Sequence, residues 1–430
     1  MEVVVEGRCF VAGELLQTAI GIDAGRIVAI GPSLRGERHY QFGSKLILPA
    51  ATDLHVHFRE PGLIAKGDIA SESVAAAVGG VTCVFDMPNT NPPTRTAAAA
   101  AEKLQAAQRA SWVDFGCWGL LAPSSDLAAL RELVVGYKLY CASTTGDLLV
   151  SDPAEAAALI GQAKTHGKLV AAHAEAEDLR TREEEQSLED HLRCRPNLAE
   201  SVAVERLVRS EGRGRLHICH LSAQESISKL AGASEVTAEV TPAHLLLDAS
   251  TDLEGFGKVN PPLRRKADCA ALLGALADGT IPIVASDHAP HTMAEKQQEF
   301  DRVPSGLPGV ETLVPLLLQL VKERKLQLAR AVEAFAERPA AFVGLRKGRL
   351  EVGYEADLIV VDSKRPAKIR ASELHAKCGW TPFEGREALF PEATFLRGVP
   401  IARHRELEGP RLGHALRFPP SGPVPMGAPQ

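Results

Sequence analysis

Apolar positions fall into two patterns along the chain. Near the start, short β-branched clusters (Val3-Val4-Val5, Arg26-Ile27-Val28-Ala29-Ile30 and Leu46-Ile47-Leu48) are separated by Gly25 and by Gly31-Pro32. Short β-formers punctuated by turn residues predict strands. The same signature returns at 357–361 and 394–396. Two β-rich ends around one long middle predict a small composite β domain formed by both chain ends.

The middle reads differently. Nearly all-apolar runs occur at 53–58, 81–86, 113–120, 135–140, 168–173, 216–221, 235–240 and 281–287. Such runs suit strands buried on both faces. Ala/Leu/Glu-rich stretches at 68–78, 96–109, 152–165 and 198–210 separate several of them and predict helices. Eight strands alternating with helical crossovers predict an α/β fold, a (β/α)8 TIM-type barrel. The expected layout is residues 1–49 and 345–405 in the β domain, 50–344 in the barrel, and 406–430 as a Pro/Gly-rich, flexible or extended tail. Residues 242–280 break the simple alternation and predict an elaborated loop.

Composition narrows the partners. The 430 residues carry a net charge of −6, without the basic field that non-specific nucleic-acid binding needs. An uncharged apolar run of about 18 residues, as a membrane span requires, does not occur. The first twenty residues mix Glu and Arg into the apolar positions, unlike a secretory signal. The eight cysteines are dispersed without a C-x-x-C pair and read as reduced thiols. The expectation is a soluble cytoplasmic protein.

Candidate chemistry sits at the ends of the predicted strands. His55-Val56-His57 places two imidazoles on one strand face, because side chains two apart project to the same side. Lys138, His173, His220 and Asp287 close four other strands. Any one of them alone reads as a polar strand cap, and Lys138 as a lysine reaching for water. Ligand-type residues at five strand ends of one barrel point instead to a metal centre at its C-terminal mouth.

The motifs around these residues resemble dihydroorotases of the amidohydrolase superfamily. The resemblance rests on His55-Val-His57-Phe-Arg59-Glu-Pro-Gly62, Asp86-Met-Pro-Asn89-Thr-Asn-Pro-Pro93, Ala285-Ser-Asp287-His-Ala-Pro-His291-Thr292 and Gly306-Leu-Pro-Gly-Val-Glu311-Thr312. Tyr137-Lys138-Leu139-Tyr140 and His217-Ile-Cys-His220 are more similar to the dihydroorotase domain of the animal multifunctional pyrimidine-synthesis protein and its archaeal relatives. Many bacterial single-chain dihydroorotases have an aspartate where Lys138 would act.

The resemblance implies a cytoplasmic, zinc-dependent hydrolase of pyrimidine biosynthesis. It would interconvert N-carbamoyl-L-aspartate and L-dihydroorotate. It implies two zinc ions per subunit: His55, His57 and Asp287 would hold one, His173 and His220 the other, and a carboxylated Lys138 would bridge them. Asp287 would also be the general acid–base. Arg59, Asn89 and His291 would bind the substrate carboxylate, Asn260 would lie near the ring, and Thr144 matches a mobile-loop threonine, although Ala142 and Ser143 replace a bulkier polar pair. Glu239 and His244 follow the seventh strand, where they could support an extra metal or orient the others. Allantoinase and dihydropyrimidinase or hydantoinase share the metal set and are the nearest other readings; a silent dihydroorotase-like subunit scaffolding aspartate carbamoyltransferase would be expected to have lost ligands, whereas every ligand position here is filled. A homodimer and association with aspartate carbamoyltransferase stay open.

Overall fold

The computed structural model describes residues 1–143, 148–210, 214–233 and 235–418. Both chain ends contribute to one eight-stranded sheet. From the first end come β1 (Val3–Val11), β2 (Glu14–Asp23), β3 (Arg26–Gly31) and β4 (Arg38–Pro49). From the second come Leu358–Val361, Ala393–Leu396, Val399–Arg403 and Glu406–Leu407. The two halves join where Leu358–Val361 runs antiparallel to β4, with Ile359 opposite Leu48 and Val360 opposite Ile47.

The all-apolar character of Leu358–Val361 and of the end of β4 that it pairs with, Leu46–Pro49, follows from that position. Alternate side chains enter different cores: Ile47, Leu358, Val360 and Phe395 pack within the sheet's own core, while Leu48, Ile359, Val361 and Leu396 pack into the core shared with the barrel. Polar residues clamp the same junction. Buried Lys347 lies 2.6–2.7 Å from carboxylates of Asp114, Glu355 and Asp357, and Arg397 also reaches Asp114.

The barrel follows in parallel order: β5 (Ala51–Val56), β6 (Val81–Asp86), β7 (Asp114–Cys117), β8 (Gly119–Leu120), β9 (Gly136–Tyr140), β10 (Leu169–His173), β11 (Leu216–Ile218), β12 (Val236–Val240) and β13 (Ile283–Val284). The run 113–120 is thus two short strands interrupted at Trp118, whose indole N–H donates to the Leu54 carbonyl at 2.9 Å. A parallel bridge between Val56 and His288 brings the last strand's exit back to β5.

The helices begin where side-chain caps allow. Asp68, Thr96 and Asp152 accept from backbone amides in the first turns of Ile69–Gly79, Ala97–Ala110 and Pro153–Thr165. Residues 242–280 form a short helix (Pro242–Leu246), a turn (Glu254–Gly257), a loop through Asn260, and the helix Lys266–Asp278. A long excursion between β10 and the helix Asn197–Arg209 carries the short helix Leu188–Cys194.

As far as it is described, the tail is an extended segment, one of the two forms its composition left open, and it is packed down on the barrel. His414 and Leu416 exchange backbone hydrogen bonds with Phe115, and Phe418 packs on Phe85 at 5.6 Å between ring centroids. Gly116 makes room for this: a Cβ there would stand 2.5 Å from the Phe85 ring and 3.3 Å from that of Phe418. The segment therefore closes the floor of the barrel, beside Trp118, Val135 and Leu169. No helix among the described residues is long and apolar enough to cross a membrane.

Candidate metal centre and active site

The barrel mouth collects the strand-end residues into one pocket of about 400 Å³. Its walls include His55, His57, Arg59, Asn89, Lys138, Tyr140, His173, His220, Asn260 and Asp287. Asp287 Oδ1 lies 3.3 Å from His55 Nε2 and 3.1 Å from His57 Nε2. On the other side His173 Nδ1 and His220 Nε2 are 3.1 Å apart. The His55 and His220 rings lie 5.2 Å apart between centroids, linking the two groups. Arg59, His220 and Asp287 all have positive φ, at 70°, 36° and 47°. Non-glycine residues in that region carry strain that the surrounding structure must hold, and such residues concentrate at functional sites.

Lys138 supplies the most informative observation. It is fully buried, and its Nζ has no hydrogen-bond partner among the described residues. A buried ammonium without an acceptor is costly. His220 Nδ1 is likewise buried without a partner. An amine and an imidazole nitrogen left open among converging histidines fit a site that binds a further group, such as a metal ion.

The electrostatics suit ligation at three of the four histidines. Burial pushes His57 down to about 4 and lowers His173 and His220 too, leaving neutral imidazoles with lone pairs to offer. At His55 burial acts in the same direction, but the carboxylates of Asp287 and Glu239 prevail and raise it to about 10. Outer contacts hold the rings. His55 Nδ1 meets Glu239 at 2.5 Å, Glu239 also meets His217 at 2.9 Å, and His173 Nε2 meets Glu175 at 2.8 Å. Such partners fix ring orientation in metal sites.

Ligand atoms of His55, His57 and Asp287 lie within 4.8 Å of one another, as do those of His55, Cys219 and Glu239. His244 does not turn toward this cluster. Its Nε2 donates to the Pro261 carbonyl at 3.0 Å and its Nδ1 accepts from the Thr241 hydroxyl at 2.8 Å, so it braces the loop beside Asn260.

Toward the substrate side, Arg59 Nε donates to the Pro290 carbonyl at 3.0 Å and its Nη2 lies 3.1 Å from His291 Nε2. His291 sits behind Arg59 rather than on the pocket wall, and burial pushes its pKa down to about 3. Asn89 Oδ1 is 2.6 Å from His57 Nδ1, so it positions a metal-ligand candidate as well as lining the pocket. Asn260 lines the wall beside Ser305 and Gly306. Thr144 lies outside the described residues.

Several wall and support residues were given no role in the sequence reading. Tyr140 stands two positions after Lys138 in the same strand, so strand periodicity carried a signal for it, whereas Glu175 lies just beyond the end of β10. Ser305 precedes the glycine of a recognised motif. His191, which contacts Asn260, lies on the excursion after β10 and carried no local signal.

Residues 46–385 match the model of the amidohydrolase family. A dihydroorotase of Methanosarcina acetivorans is 40% identical over 424 residues, covering 92% of this chain and 90% of its own. A dihydroorotase of Halobacterium salinarum is 41% identical over 392 residues, covering 89% and 92%. Among solved structures, the L-hydantoinase (dihydropyrimidinase) of Arthrobacter aurescens superposes with a TM-score of 0.90 at 26% identity, covering 96% of this chain and 99% of that one.

Proposed function

This chain belongs to the amidohydrolase family, and from that premise we propose that its barrel mouth runs the dihydroorotase reaction, L-dihydroorotate plus water to N-carbamoyl-L-aspartate and back. The protein is an enzyme, a hydrolase of cyclic amides. The dihydroorotase assignment is supported by sequence relatives of that name at up to 41% identity over most of the chain, against 26% for the hydantoinase that shares the fold. The observation that carries the chemistry is buried Lys138, without a hydrogen-bond partner among the described residues, beside four histidines and Asp287.

The family is metal-dependent, and the donor set here fits divalent cations. His55, His57 and Asp287 would hold one ion and His173 and His220 a second. Lys138, once its amine has taken up carbon dioxide as a carbamate, would join the two through its oxygens. Imidazole with carboxylate-type oxygens suits zinc. Bound ions of this kind supply Lewis acidity, acidifying water and polarising the ring carbonyl.

The chain's own residues do the rest. The Asp287 carboxylate, between the two imidazoles of His55 and His57, accepts the proton of the attacking water. It returns that proton to the ring nitrogen as the carbon–nitrogen bond breaks, the two halves of general acid–base exchange. In the other direction the ureido nitrogen attacks the carboxyl carbon, and Asp287 takes the nitrogen's proton and delivers it to the departing hydroxyl, which leaves as water. The Arg59 guanidinium, with Asn89 and with His291 behind it, would receive the substrate carboxylate. Neutral hydantoins and dihydrouracil lack that group. The test is turnover of L-dihydroorotate, allantoin, hydantoin and dihydrouracil by one metal-analysed preparation. Preference for L-dihydroorotate is expected, and preference for a neutral ring would favour the hydantoinase reading.

A further inference from the structure

The excursion between β10 and Asn197–Arg209 brings a histidine onto a residue of the pocket wall. Asn260 Oδ1 receives His191 Nε2 at 2.9 Å and the Ser305 hydroxyl at 3.2 Å. The same His191 nitrogen lies 3.0 Å from the Val259 carbonyl. A carbonyl oxygen only accepts, so Nε2 carries a proton. That proton in turn decides which end of the Asn260 amide faces it. The oxygen is consumed by two donors, while the amino group has no hydrogen-bond partner among the described residues and is left for the pocket that Asn260 lines.

The arrangement is anchored from behind. His191 Nδ1 meets the Glu185 carboxylate at 2.8 Å, and Glu185 pairs with Lys258 at 2.9 Å. The Lys258 ammonium also donates to the Phe300 carbonyl at 2.9 Å. His191 and Lys258 are buried and Glu185 keeps 13% of its side chain exposed. Burial pushes the Glu185 carboxyl up, but His191 and Lys258 hold it at about 2, so it is ionised. Burial pushes the His191 pKa down and Glu185 opposes that. With the ionised Glu185 carboxylate at Nδ1 and the Val259 carbonyl at Nε2, only the imidazolium serves both acceptors, and it is in that form that Nε2 carries its proton. None of these three charged or titratable groups takes part in the reaction described above, and each is costly to bury without a purpose.

We propose that His191 is a positioning residue, which with Glu185 and Ser305 locks the Asn260 carboxamide so that its amino group meets the acceptor oxygens of a cyclic ureide. The inference rests on the dihydroorotase reading and adds a specificity determinant to it. An unlocked carboxamide presents oxygen and nitrogen alternately, and its oxygen repels a carbonyl or carboxylate. Preorganised donors avoid that loss.

The test is a double-variant cycle in the full-length, metal-loaded enzyme with L-dihydroorotate. His191→Phe, which fills the ring volume without a donor, is expected to raise KM about tenfold, the scale of one lost hydrogen bond, with kcat within about twofold. His191→Gln keeps an N–H donor and is expected to stay within about threefold of the natural KM. In an Asn260→Ala background His191→Phe is expected to add no further rise, because the histidine acts through that amide. An unchanged KM in His191→Phe, or fully multiplicative effects with Asn260→Ala, overturns the inference. If His191→Phe does not fold, Glu185→Gln is carried through the same cycle, with a KM rise expected that vanishes beside Asn260→Ala; an unchanged KM or a multiplicative effect again overturns it. Failure of the unmodified enzyme to act on L-dihydroorotate removes the parent reading, and this inference with it, whereas normal turnover with no coupling removes the inference alone.

Discussion

Lys103 Nζ donates to Asp86 Oδ2 at 2.5 Å with both side chains fully buried, while Asp86 Oδ1 accepts the Phe58 amide at 2.7 Å. The pair thus ties the helix Ala97–Ala110 to the turn that presents His57 and Arg59. Lys103→Met leaves a buried carboxylate uncompensated and is expected to cost about 3–5 kcal/mol, read as a lowered melting temperature. Adding Asp86→Asn removes the stranded charge and keeps an acceptor for Phe58, so the double variant is expected to recover much of that loss.

Asp287→Asn keeps the size of the side chain and removes its basicity. Turnover is expected to fall about 10²–10⁴-fold, the usual contribution of a positioned acid–base group. The melting temperature should stay near that of the unmodified protein. Rates within a fewfold of normal would assign the proton transfers elsewhere.

Arg59→Met is expected to raise KM for L-dihydroorotate about 10–100-fold, the worth of a charge-assisted contact. The rate for any neutral cyclic amide that the enzyme accepts should change far less. Equal losses on charged and neutral rings would place Arg59 in structural support alone.

Chelation should abolish activity, and zinc with bicarbonate should restore it. Lys138→Ala is expected to lower bound metal, measured by elemental analysis, and to lose activity that zinc alone does not restore. Carbon-13 bicarbonate should give a carbamate resonance in the natural protein and none in the variant. An unmodified amine in the active, metal-loaded enzyme would exclude the bridge.

His375 accounts for a pH effect away from the metals. Its hydrogen bond to Glu311, at 3.0 Å, raises the imidazole above its ordinary 6.5. A raised value in the folded state means that the added stability is complete below about pH 6.5 and fades as pH rises through the folded value. His375→Gln should therefore lower the melting temperature in mildly acid buffer and have a smaller effect in mildly alkaline buffer. A difference that is constant with pH would argue against a charged His375.

The barrel was legible because its strands are short, apolar and capped by ligand-type side chains, and each of those side chains stands next to a run that fixes its place. His55, His57, Lys138, His173, His220 and Asp287 therefore converge in the fold as their strand positions imply. Helix starts were readable for the same local reason, through Asp68, Thr96 and Asp152. What escaped depends on distant contacts. His191 is an ordinary helix residue until residues 258–260 fold against it, and His291 keeps its motif position yet stands behind Arg59. The Pro/Gly-rich composition of the tail gave no hint that Leu416 and Phe418 would find an apolar floor.

Because that floor lies at the opposite end of the barrel from the catalytic pocket, Phe418 itself stands on the far side from the entrance. Tethering the enzyme to a bead or a fusion protein by that end should leave small molecules free to enter and exit, whereas trimming back past Leu412 would strip packing from Phe85.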